Sequence, residues 1–387
     1  MGCRTTIGEL CVRICSGGTP KRNTIEFYED GDIPWLNTSE ISFNRIRKTG
    51  QHITKAGLSG SSAKWIRKNS IAVAMYGATA GKVAITKIPL TTNQACCNLE
   101  INEEIADYRY IFYWFKNQYT RVLGLANGGA QQNLSAKTIR ALEIELPALS
   151  QQRRVASFLS TIDDKIELNT QLNGYLAEIA DALFTDAFGN LEDNAVLSDI
   201  AKITMGQSPA GTSYNEEGVG TVFYQGRGEF GWRYPTQRLF TTEPKRMAKS
   251  GDVLMSVRAP VGDLNLAYED CCIGRGLVAI SCDYPSYCLY LMRSLGKKLD
   301  AYNGEGTVFG SISGNALKGI GIGLPGNDDI AAFEAMVAPI DDQIRCNETE
   351  CRFLSQLRDA LLPKLMSGEI DVSKVDLKQL NSHLAAC

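Results

Sequence analysis

The sequence predicts an α+β protein in which one domain and one long helical segment are each written twice. Three observations carry this. The stretch Gln151–Phe184 sets Val155, Leu159, Ile162 and Ile166, then Leu176 and Leu183, on one face at helical spacing, as a helix that buries a narrow seam requires. Adding 178 to each number finds a second stripe in Asp329–Leu362: Phe333, Val337, Ile340, Ile344, Leu354 and Leu361. Short apolar runs bounded by Gly, Pro, Asn and Ser recur between the helical stretches, the pattern of buried strands with turn punctuation. A repeat this long sets the domain plan before any local assignment.

In chain order, the first domain is expected at 1–147. Its strand-like runs are Ser70–Met75, Val83–Thr86, Cys96–Ile101 and Ile139–Leu146, with an aromatic, helix-like segment at Tyr108–Gln118. A helical spacer follows at 148–190. The second domain, 191–325, repeats the runs as Asp252–Val257, Leu264–Ala267, Gly276–Ser281 and Leu317–Leu324, and the helix as Pro285–Leu295. An offset of 181 lays Gly77 on Arg258 and Gln94 on Arg275. Upstream, Gly18-Thr19-Pro20 answers to Gln207-Ser208-Pro209, and Trp35-Leu36-Asn37 to Phe223-Tyr224-Gln225. Asn127 and Asn303 open matching Gly-rich loops. A second helical spacer and tail occupy 326–387.

Both spacers carry signs of a break. Ser160-Thr161 ahead of Asp163-Asp164 supplies the hydroxyls and carboxylates that a helix N-terminus favours. Pro339 stands at the position of Thr161 in the second copy, and proline removes a helical hydrogen bond. A short helix, a kink and a longer helix of about 25 residues are therefore expected in each. Gly189 closes the first; Pro363 and Gly368 close the second. The two spacers are expected to pack on each other as an antiparallel coiled coil. Asn169 and Asn347 interrupt the stripes at equivalent places, where a polar pair would fix register.

Length and composition fit this plan. At 387 residues, 44% hydrophobic and 21% charged, the chain suits two or three domains. No apolar run approaches the roughly 18 residues that span a bilayer, so no membrane partner is expected. The start MGCRTTIGELCVRICSGG lacks the long apolar core of a secretory signal, and a cytoplasmic location is expected. Twelve cysteines include no C-x-x-C pair, and His52 and His383 are the two histidines. Such spacing does not suit zinc; no metal and no cofactor are expected, and the thiols read as buried small hydrophobes. The net charge of −3 hides a split. Residues 1–145 hold 18 Lys and Arg against 12 Asp and Glu, whereas the remainder holds 22 against 31, most of the excess on the helical segments. This suits DNA on the domains and protein partners on the helices.

Catalytic motifs are lacking: no N-P-P-Y or D-P-P-Y of an amino-methylating site, and no carboxylate–lysine cluster at nuclease spacing. Gly226–Gly231 fits G-x-G-x-x-G, but no helical pattern follows and Pro235 soon interrupts. Gly77–Lys82, GATAGK, is one residue short of a phosphate-binding loop, with Val83 where a hydroxyl would hold Mg²⁺. A nucleotide hydrolase using that loop is one alternative, and a protein-binding scaffold another. Binding chemistry is better supplied. Groups suited to base edges and phosphates cluster in the turns: Lys21, Arg22, Asn37, Thr38, Tyr76, Thr79, Lys82, Asn93 and Gln94 in the first domain, and Ser208, Tyr224, Gln225, Arg227, Arg258 and Arg275 in the second.

The segment LPALSQQRRVASFLSTIDDKIELNTQLN resembles the central conserved region of type I restriction–modification specificity subunits, and ALLPKLMSGEIDVS at Ala360–Ser373 resembles their C-terminal one. SVRAPVGDLNLA and CCIGRGLVAI, at Ser256–Ala267 and Cys271–Ile280, are similar to sequences of their target-recognition domains. The resemblance covers essentially the whole chain. It implies two target-recognition domains, each contacting one half of a bipartite site on double-stranded DNA, with the conserved helices fixing the gap. It implies no catalytic activity of the subunit's own, two methyltransferase subunits as partners, and restriction subunits that translocate and cleave DNA. The second copy departs from the basic start of the conserved helix, with Asp328-Asp329-Ile330-Ala331 where the first has Ser150-Gln151-Gln152-Arg153-Arg154.

Overall fold

The computed structural model describes residues 3–126, 133–304 and 310–372; the expected loop opening at Asn127 lies outside them, as does His383. The chain divides into two compact units, Met1–Leu168 with Glu350–Cys387, and Asn169–Thr349.

In the first unit a five-stranded sheet is built from Cys11–Ser16, Cys96–Ile101, Ile71–Ala74, Val83–Thr86 and Asn44–Ile46, in that spatial order. A second sheet of three strands combines Gln51–Ile53, Ile33–Leu36 and Thr91–Thr92. The period-two alternation of the central strands sorts the side chains between two cores. Ile71, Val73, Cys97 and Leu99 face the aromatic helix Tyr108–Asn117, while the smaller Ala72, Ala74 and Cys96 pack with Leu36, Ile41 and Leu90. That helix is buried nearly all round, Tyr110 to Phe115 without a gap, since Val155, Leu159 and Ile162 of the long helix close its other side.

The second unit repeats the scheme. Four strands, Lys202–Met205, Leu277–Ser281, Val253–Ser256 and Leu264–Leu266, form one sheet, and five shorter ones form another. Val253, Met255, Val278 and Ile280 face the helix Pro285–Ser294, with Phe333 and Val337 beyond it; Leu254, Leu277 and Ala279 face the other way. The expectation of buried thiols holds for Cys96, Cys97, Cys271, Cys272 and Cys288, and burial pushes the Cys97 thiol up to about 12, but Cys3 and Cys346 are exposed.

Two expectations fail in the same way in both copies. Ile139 and Leu317 lie on short helices, Ala136–Arg140 and Gly314–Lys318, rather than at the start of strands. Ser135 and Ser313 cap them, accepting from the N–H of Thr138 and Ala316 at 3.0 and 3.2 Å. Only Glu143–Leu146 and Gly321–Ile322 are extended. The apolar run was real, but one serine decided its first turn.

The expected division of each spacer into a short and a longer helix is absent too. Leu149–Phe188 and Asn327–Ser367 are unbroken helices of 40 and 41 residues. The Thr161 hydroxyl donates back to Ser157 O at 3.1 Å and caps nothing, and Asp163 and Asp164 are bound by side chains of the domain. Pro339 forgoes one backbone bond, but Val337 and Ile340 pack beside it and Asp341 is held by Tyr290. Pro363 likewise lies within the helix, which ends at Gly368 with φ +78°.

The two helices run antiparallel within each unit. In the first, Ile166 O accepts from the Cys351 thiol and Asp163 from Arg358 at 2.7 Å; in the second, Asn173 meets Asn347 and Phe184 stacks edge-on to Phe333. The seam residues Val155, Leu159, Ile162, Asn169, Phe333, Val337, Ile344, Asn347 and Leu354 are buried; Ile166, Leu176, Leu183, Ile340 and Leu361 are partly so. Asn347 Nδ2 donates to Asn173 Oδ1 at 2.7 Å, a polar pair inside the seam.

Candidate nucleic-acid interface

In the first unit four loops are tied together by backbone bonds at one end of the central strands. Gly18 N–H donates to Thr92 O at 2.8 Å, Asn93 N–H to Leu36 O at 3.0 Å and Met75 N–H to Ala95 O at 2.8 Å. The Trp35 indole N–H donates to Gly18 O at 2.9 Å. Glycine is required at 17, where a Cβ would stand 2.2 Å from the carbonyl oxygens of Thr92 and Asn93. The second unit makes the same junction: Gly274 N–H to Tyr224 O at 2.8 Å, Gln207 N–H to Ile273 O at 2.9 Å, and Val257 N–H to Gly276 O at 3.0 Å.

These bonds correct the repeat register. Met75 and Val257 make the same bond, and Tyr76 and Arg258 the same kind of isolated bridge, to Asn133 and Ser311. Arg258 is thus the counterpart of Tyr76, not of Gly77. The next turn is one residue shorter in the second unit, and the copies rejoin at Gly81 and Gly262, both with positive φ.

The expected contact residues fall into three groups. Lys21, Arg22, Tyr76, Gln94, Gln225, Arg227, Arg258 and Arg275 are exposed. Asn37, Thr38, Thr79, Lys82 and Ser208 are half-buried, while Asn93 is 9% exposed and Tyr224 is fully buried. Several of the latter shape the loops. Asn37 caps a short helix, accepting from Ser39 N–H at 3.3 Å, and also accepts from Asn93 Nδ2 at 3.3 Å and the Thr38 hydroxyl at 3.4 Å. Ser208 Oγ accepts from Arg275 N–H at 3.3 Å. Gln94 Oε1 accepts from the Thr19 hydroxyl, and Arg227 pairs with Asp263 at 2.6 Å. Gly77–Lys82 leads into the strand Val83–Thr86, so no helix N-terminus faces that loop as phosphate binding requires. Gly226–Gly231 holds a single three-residue turn.

The second set of contacts was missed from sequence: each domain is fastened to the helices of its own unit by buried polar groups. Tyr113 donates to Asp163 at 2.5 Å, and Arg358 reaches the other carboxylate oxygen at 2.7 Å. Burial and then the Asp163 carboxylate push the Tyr113 phenol well up, which keeps it a donor. Tyr290 donates to Asp341 at 2.9 Å, and Arg233 binds the same carboxylate. Arg45 and Arg47 add pairs to Asp164 and Glu167. The doubled aspartates repeated at 163–164 and 341–342 were the available signal.

Residues 5–177 match the family described as "Type I restriction modification DNA specificity domain". The chain is 25% identical to the type I restriction enzyme MjaIX specificity subunit of Methanocaldococcus jannaschii over 95% of its own length and 93% of that protein's. Over these spans the chain is similar to type I restriction specificity subunits. It is 32% identical to the MjaX specificity subunit of the same organism over 62% of its own length and 62% of that relative's. The fold agrees with a crystal structure of the specificity subunit from M. genitalium, with a TM-score of 0.61 over 94% of this chain and 95% of that one, at 19% identity. No helix among the described residues is long and apolar enough to cross a membrane.

Proposed function

We infer that this chain is the non-catalytic DNA-recognition subunit of a type I restriction–modification complex. Each domain reads one half of a bipartite target on double-stranded DNA through its four-loop end. The helical spacers set the gap between half-sites and dock two methyltransferase subunits, and restriction subunits that translocate DNA join the assembly in the cytoplasm. The domains remain assigned to 1–147 and 191–325, with the spacers at 148–190 and 326–387. The observation that supports this most is one junction of loops built twice with different exposed side chains: Tyr76 and Gln94 at one, Arg258 and Arg275 at the other. A common backbone with exchanged hydrogen-bonding groups is what two unlike half-sites need. Joining two weak sites raises affinity through effective concentration, provided the gap matches.

The test is to express the chain with its methyltransferase and sequence the methylated bases. A motif in two parts separated by unspecified bases is expected, and four residues inserted within 169–176 should re-space or abolish it. A contiguous motif, or an unchanged gap after insertion, would refute the assignment.

A further inference from the structure

We propose that Arg258 and Arg275 together read guanine in the half-site contacted by the second unit. The inference rests on the DNA-recognition role above and goes on to name the base. The strands Val253–Ser256 and Leu277–Ser281 pair antiparallel up to Ser256 with Leu277, and Val257 N–H then donates to Gly276 O at 3.0 Å. One step beyond that bond stand Arg258 and Arg275, on adjacent backbone positions at the exposed end of the sheet. Like charges brought side by side across strands cost stability, and no acid among the described residues pairs with either. The nearest acid on the same turn, Asp263, is engaged by Arg227 at 2.6 Å.

The backbone holds the pair in place. Ser208 Oγ anchors Arg275 N–H at 3.3 Å, and Arg258 bridges to Ser311. Two guanidinium forks on a fixed base match the O6 and N7 acceptors that guanine shows in the major groove, the commonest base-specific contact of arginine. The first unit has Tyr76 and Gln94 at this place, without a cation, so its half-site is read by different chemistry.

The test compares methylated motifs from the chain, with its methyltransferase subunits, as wild type, Arg258→Ala, Arg275→Ala and Arg258→Lys. The expected result is a guanine in one half-site, relaxed in both alanine variants by roughly 10- to 100-fold in discrimination, with the other half unchanged. Arg258→Lys should lose discrimination as well, since a point charge lacks the two-pronged donor set. Uniformly weaker binding with an unchanged motif and a shallower salt dependence would make the pair a phosphate contact and overturn the inference. Relaxation at a base other than guanine would also overturn it. A lower melting temperature in the alanine variants would mark the arginines as structural and count against it; an unchanged or higher one is expected. A wild-type motif that is not bipartite would instead remove the recognition role itself.

Discussion

The two units solve one mechanical problem with different residues. Each must hold an aromatic helix against a long helix, and each does so with a phenol donating to an aspartate, Tyr113 to Asp163 and Tyr290 to Asp341. What accompanies the aspartate differs. In the first unit Arg358 also contacts Asp359 at 2.9 Å, so its charge has a second partner. In the second, the guanidinium of Arg233 is 4% exposed and relies on Asp341 and the Tyr290 hydroxyl, with Nε and Nη1 unpartnered. The start of the aromatic helix differs as well. Gln152 accepts from Asp107 N–H and donates to the carbonyls of Ile105 and Pro147, whereas Glu334 accepts from the N–H groups of Ser286 and Tyr287 at 3.1 and 2.9 Å. The same placement thus rests on a neutral amide in one copy and a carboxylate in the other.

The sharpest break of this parallel is Asp341→Asn against Asp163→Asn. Stranding the buried Arg233 charge should cost about 3–5 kcal/mol. The Asp163 change, which leaves Arg358 its other carboxylate, should cost about 1–2 kcal/mol. Denaturant unfolding of the full chain, with hydrogen exchange to assign the loosened unit, reads both; equal losses would refute the distinction. A smaller contrast is Gln152→Glu, which turns a carboxylate toward two carbonyl oxygens and should cost about 1–3 kcal/mol. Glu334→Gln keeps an acceptor at the helix start and should cost about 1 kcal/mol or less. The smallest effect is acid sensitivity. Burial pushes the Glu167 carboxyl up, but Arg47 and Arg45 more than offset this and leave it below its usual value of 4.5. A lowered carboxyl contributes stability that is present at neutral pH and lost as pH falls from about 4.5 through its folded value. Glu167→Gln should therefore flatten the acid limb of unfolding, and an unchanged limb would exclude the pair as its source.

Much of the fold was legible because repeats and alternation survive low identity. Val83–Thr86 and Cys96–Ile101 form strands with the expected bounds, since turn residues flank them closely. Failures came where one signal served two purposes. Asp163-Asp164 has the composition of a helix start, yet those carboxylates are bound by Tyr113 and Arg45 from far along the chain, which no local pattern reveals. Part of the acidity of the helices has the same origin: Asp163, Asp164, Glu167, Asp181, Glu334 and Asp341 all bind their own unit's domain. At the candidate interface, exposure separates Arg258 and Gln94 from the inward-turned Asn93 and Tyr224, a distinction the sequence pattern does not carry. A single missing residue after Val257 shifted the pairing of the copies, and only the hydrogen bonds could show it.

The division of the chain has a consequence for its synthesis. The second unit is one continuous stretch, Asn169–Thr349, whereas the first needs residues from both ends. Leu354, Leu362 and Leu365 share a core with Val155, Leu159 and Ile162. On the ribosome, where early segments ordinarily fold first, the earlier-made domain must wait with part of its apolar surface uncovered until Leu354, Leu362 and Leu365 of the helix Asn327–Ser367 emerge. A chain cut short near Thr349 would contain a complete second unit beside an unfinished first, a product that quality-control proteases and chaperones would meet as a half-closed protein.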